Sequence, residues 1–115
     1  FDLFGDIFMR KTKCKYRLLD GSEDFKFEFC EVSESEGWRA YILFPTDRDY
    51  KRYNSNRETG AVTTHRYTDN NREEKYICWT DTVSSYEAMR RIAKEWSEGT
   101  ARYIRTGVEF GGTVS

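Results

Sequence analysis

The sequence predicts an α+β fold: an antiparallel four-stranded sheet of two hairpins, with one long C-terminal helix packed on one face. Three observations carry that expectation. Phe25, Phe27 and Phe29 alternate with Lys26 and Glu28, the period of a half-buried strand. Residues 37–44, GWRAYILF, are apolar on both faces, as a central strand is. Residues 84–107 place Met89, Ile92, Ala93, Trp96, Tyr103 and Ile104 on one stripe at helical spacing.

The elements follow in order. The first eight residues, FDLFGDIF, set Phe1, Phe4, Ile7 and Phe8 at helical spacing, with Asp2 and Asp6 opposite them. They read either as a short amphipathic turn docked on the domain or on a neighbouring molecule, or as an extension ahead of a translation start at Met9. No positive region precedes an apolar stretch there, so a signal peptide is not expected. Residues 9–115 form the single domain. Cys14, Tyr16 and Leu18 alternate with Lys13, Lys15 and Arg17 in a first strand, and DGSED turns the chain into the phenylalanine strand. Gly37 supplies the positive φ that the SESEG connection needs. Pro45 ends the third strand, since proline gives no donor to a ladder.

Residues 46–62 read as loop, and 63–79 as a second hairpin across a DNN turn. In the helix, Ser84 and Glu87 match a capping box, and Gly107 suits a left-handed end with Val108 folding back on Tyr103. At 1.5 Å per residue such a helix is about 30 Å long, enough to cross a sheet. Gly99 inside it costs about 1 kcal/mol against alanine and marks a bend or a close approach. The order β-β-β-β-α is similar, in topology alone and with no matching motif, to the Whirly type of single-strand-binding domain, so it implies no site residue.

Composition narrows the function. With aromatic residues at 17% and few aliphatics, the core should be built from rings. One proline and no low-complexity tract argue against a disordered half. No apolar run approaches the roughly 20 residues of a membrane span. Nineteen basic residues face twenty acidic ones, whereas a dedicated nucleic-acid binder carries a positive surplus. The charges are nevertheless segregated: five cations and no acid in residues 10–17, seven acids against Lys26 in 20–37.

Cys14, Cys30 and Cys78 are an odd, scattered set that predicts reduced thiols and a cytoplasmic protein. His65 is the single histidine, which excludes a two-histidine metal site or a histidine pair. With the cysteines it makes a Cys3His set whose members lie too far apart for zinc knuckles. No phosphate-binding glycine loop or nucleophile elbow occurs. The expectation is no enzyme, no cofactor and no metal.

One stretch remains, YKRYNSNRETGAVTTHRY at 50–67. Tyr50, Lys51, Arg52, Tyr53, Arg57, His65, Arg66 and Tyr67 interleave rings with cations there. Tyrosine and arginine are enriched at protein-binding hot spots, and the same mixture holds single-stranded nucleic acid by stacking and neutralisation. The sequence therefore predicts a small intracellular binding module that acts through protein–protein contact, of an adaptor or inhibitor type such as phages and mobile elements carry. Single-stranded nucleic acid is the competing partner. A homodimer through an open sheet edge or through residues 1–8 is a further expectation.

Overall fold

The computed structural model describes residues 9–110. The octapeptide and the readings placed on Phe1, Phe4 and Phe8 lie outside them. Strands β1 (Arg10–Arg17), β2 (Asp24–Ser33) and β3 (Gly37–Phe44) are followed by two single-turn helices, α1 (Asp47–Tyr50) and α2 (Ala61–Thr64). Then come β4 (Arg66–Tyr67), β5 (Tyr76–Ile77) and the long helix α3 (Tyr86–Thr106). All pairings are antiparallel, in one sheet of order β1-β2-β3-β5-β4. The α+β class, the antiparallel sheet and the long C-terminal helix are as the sequence predicts. The sheet has five strands rather than four, because 63–79 yields two strands of two residues each.

Alternation decides which face of the sheet is buried. Phe25, Phe27, Phe29, Ala40 and Ile42 turn to α3, whose stripe Met89, Ile92, Ala93, Trp96, Tyr103 and Ile104 is buried throughout. The Trp96 ring is the hub, 6.1 Å from Phe25 and 6.0 Å from Phe27, both edge-on. Edge-on rings at that separation add to the area they bury. β3 is central, as its two apolar faces require: Tyr41 on its far face is as fully buried as Ala40.

Three local expectations are corrected. Residues 46–62 are not a structureless loop. Asp49 accepts a hydrogen bond from the Thr46 N–H at 2.9 Å and starts α1, and α2 follows near the far end. Thr63 and Thr64 do not open the hairpin, and His65 does not lie in a strand. The Thr64 hydroxyl donates to the Gly60 carbonyl at 2.7 Å, and the Trp96 indole N–H donates to the Thr64 carbonyl at 3.1 Å. These bonds hold a helical turn that His65 closes at φ 53°. Finally, the cap of α3 is Ser85, whose hydroxyl accepts from the Ala88 N–H at 3.1 Å. Glu87 consequently sits one position too early for a capping box and acts only through its charge in the first turn.

The helix ends at Gly107 as predicted, with φ 78°. Val108 is half exposed, and the Arg57 guanidinium lies over the Tyr103 ring. Gly99 is a close approach: a Cβ there would stand 2.8 Å from Phe110 Cε1.

Candidate functional site

The eight residues singled out between 50 and 67 do not form one surface. Tyr50 and Arg66 are interior. Arg66 is 3% exposed and reaches Asp47 at 2.7 Å, the Thr64 hydroxyl at 2.8 Å and the Thr59 carbonyl at 2.9 Å. Its guanidinium also lies 4.6 Å over the Tyr50 ring. Asp47 in turn takes Lys75 at 3.1 Å. Partial burial pushes the Asp47 carboxyl up, but hydrogen bonds from Arg66 and Lys75 outweigh it and hold the group below the usual carboxylate range.

Arg57 closes the long helix. It donates to the Ile104 carbonyl from Nε at 3.3 Å and from Nη2 at 3.2 Å. That carbonyl belongs to the last turn and has no partner within the helix, and a cation there also meets the negative end of the dipole. Arg52 pairs with Glu23 and lies near the rings of Phe44 and Tyr53. Lys51 reaches the Ser55 carbonyl at 3.4 Å. His65 stacks on Phe110 at 4.6 Å, and burial lowers its pKa. Of the eight, only Tyr53 and Tyr67 present much ring to solvent, at 61% and 45% exposure, Tyr53 in the connection between α1 and α2 and Tyr67 on β4.

Tyr67 stands on the sheet face away from α3, beside Tyr76 at 5.5 Å, which is itself beside Tyr41 at 5.5 Å. Arginines lie across this row, Arg39 over Tyr76 at 4.4 Å and Arg72 over Tyr41 at 4.0 Å. Both are held by acids. Arg39 reaches Asp69 at 3.6 Å, while Arg72 reaches Glu28 at 3.0 Å and Glu74 at 2.9 Å. Rings, cations and carboxylates are thus mutually satisfied over β3, β4 and β5.

β1 is different. It pairs with β2 over eight consecutive positions, from Arg10↔Glu31 to Arg17↔Asp24, without a register shift. Among the described residues no strand lies beyond it. Lys11, Lys13 and Lys15 are exposed and share the face away from α3. No described carboxylate bridges any of the three. Glu28, directly opposite Lys13, is turned to Arg72, and Lys15 stands opposite Lys26, another exposed cation. Like charges directly across a strand pair are unfavourable unless an anion joins them. The basic run RKTKCKYR is visible in the sequence, but sequence reasoning favoured the loop for its interleaved rings and cations, and only the β1–β2 register brings Lys26 beside that run.

No group of three or more His, Cys, Asp or Glu that could hold a metal occurs among the described residues. Burial, and next the Glu28 charge, push the Cys30 thiol up to about 12, far from a reactive thiolate. Among the described residues no helix is long and apolar enough to cross a membrane. In comparisons with known proteins, no family model, no curated protein and no solved structure matches this chain.

Proposed function

We propose that this chain is a non-enzymatic binding module that acts through protein–protein contact, with β1 as its docking edge. The observation that carries the reading is a regular eight-residue strand, open on its outer side among the described residues and crowned by lysines without a carboxylate. A strand edge offers a row of backbone donors and acceptors, and exposed charge steers a complementary partner. An intracellular adaptor or inhibitor, of the kind mobile elements and phages carry, is the class that this size and composition suit.

The single-strand reading has less support. It needs rings interleaved with available cations, and in 50–67 Arg57 and Arg66 are committed to the domain's own carbonyls and to Asp47, while the exposed Arg52 is paired with Glu23. The exposed ring of Tyr67 lies at the far edge of the sheet, four strand spacings or about 19 Å from β1. Photo-crosslinking tests the choice, with the reactive group placed at Thr12 or at Tyr53 in a nuclease-treated extract of cells that make the protein. The expected result is a protein adduct from position 12 that nuclease does not remove. Adducts that vanish with nuclease, together with oligonucleotide affinity that falls steeply with salt, would replace this reading by the nucleic-acid one.

A further inference from the structure

We infer that β1 accepts an extended acidic segment of a protein as an added antiparallel strand, and that the same lysines turn away a second copy of this chain. The inference rests on the protein-binding reading and specifies its partner.

The backbone supplies the first half. β1 carries no bulge, no proline and no covering element among the described residues. Those are the devices that usually blunt an edge, and here only charge is left to do so. An added strand sets one side chain opposite each β1 residue, on the same face. Lys11, Lys13 and Lys15 recur every second residue, about 6.7 Å apart. Glu or Asp at alternate positions therefore meets each ammonium and relieves the Lys15–Lys26 opposition. On the helix face a groove opens beside the start of β1, lined by Arg10, Thr12, Trp38, Ser85, Tyr86 and Glu87. The intervening positions of the added strand face the outer side of that groove, where apolar side chains come beside Thr12 and the Tyr86 ring, while Trp38 lies two strands further in beneath Arg10. A phosphodiester chain offers no N–H to the outward carbonyls, so a peptide satisfies this edge more completely.

Symmetry supplies the second half. An antiparallel β1–β1 pair has its two-fold axis perpendicular to the sheet, so the lysine faces coincide. Centred on Lys13, it sets Lys13 against Lys13 and Lys11 against Lys15. Every other antiparallel register on such an axis also brings cations together, because Arg17 occupies the next position of that face.

Fluorescence anisotropy with a labelled peptide of β1 length, alternating Glu and Val, tests the proposal on the full chain. Binding is expected, with at least about a tenfold loss when alternate peptide amides are N-methylated on the pairing side. A Lys11→Glu, Lys13→Glu, Lys15→Glu variant, shown folded by circular dichroism, should lose this peptide and bind its Lys–Val counterpart. Affinity indifferent to N-methylation would mean charge adhesion without strand addition. Short oligothymidylate bound as tightly as the peptide would make the surface a polyanion site, and no peptide binding would leave the lysines as edge protection only. Any of these three overturns the inference, and a wild-type dimer in sedimentation overturns its second half. If the peptide fails while the nuclease-resistant adduct at Thr12 persists, strand addition alone falls. If the adduct fails as well, the binding reading falls with it.

Discussion

In β1 the cations are mostly lysines, standing on a regular strand with no described carboxylate bridging Lys11, Lys13 or Lys15. Between residues 48 and 67 they are mostly arginines: Arg57 and Arg66 fold onto rings, carbonyls and an acid, Arg52 pairs with Glu23 at the surface, and Arg48 is exposed. Written out, the two stretches look alike, basic with tyrosines between. The difference lies in what each cation can satisfy. A guanidinium presents five donors in a plane and stacks on an aromatic face, so Arg66 bridges Asp47, Thr59 and Thr64 while covering Tyr50. An ammonium on a flexible stem is strongly hydrated and stays in water. Arg57 and Arg66 are internal mortar for a long connection, and the lysine-rich strand is surface.

The contrast breaks most readily at Asp47. Asp47→Ala leaves the buried Arg66 with only the Thr64 hydroxyl and Thr59 carbonyl as partners; because Asp47 is half exposed, the expected loss is about 1–2 kcal/mol, read from the urea midpoint. A loss under about 0.5 kcal/mol would put this region on a par with ordinary surface. The same pair has a pH signature. The folded pKa of Asp47 lies below the ordinary carboxyl value of 3.8, so its contribution is fully present above that pH and is lost as pH falls through the lower folded value. The stability difference between wild type and Asp47→Asn should therefore hold at neutral pH and shrink in acid.

Arg57→Ala is the next test. It removes two hydrogen bonds to the Ile104 carbonyl and a cation from the helix end, and a loss of about 1–2 kcal/mol is expected. Ser85→Ala, outside both regions, should cost about 1 kcal/mol as a lost cap, whereas Ser84→Ala should leave the midpoint unchanged. The smallest effect sharpens the comparison from the other side. Lys15→Ala relieves the opposition to Lys26 and should raise stability by a few tenths of a kcal/mol, most visibly at low salt. A loss there would mean that Lys15 is engaged rather than waiting for an anion.

Much of the fold was legible because alternation and the helical stripe are strong, local and long. Phe25, Phe27 and Phe29, both faces of 37–44 and the α3 stripe all fall where their periods place them. Segment 46–67 was not legible, because its order comes from partners far along the chain. Trp96 holds the Thr64 carbonyl, Ile104 takes Arg57, and the Tyr103 hydroxyl donates to the Glu58 carbonyl at 2.8 Å. No local pattern announces such bonds, so Tyr50, Arg57 and Arg66, which look available in sequence, prove to be committed within the domain. Ser85 was displaced by one residue for a simpler reason: two adjacent serines can each cap, and only the helix phase chooses between them. The lysine cluster needed the β1–β2 register, which alone brings Lys26 opposite Lys15.

The most direct test compares nuclease-resistant protein adducts formed from a photo-reactive group at Thr12 in three backgrounds. These are the wild type, the Lys11→Glu, Lys13→Glu, Lys15→Glu variant, and an Arg52→Ala, Tyr53→Ala variant. The account predicts an adduct in the wild type, its loss when the β1 lysines are reversed, and its persistence when the exposed part of 50–67 is truncated. An adduct that survives lysine reversal but disappears with Arg52 and Tyr53 would contradict it and return the binding surface to the loop.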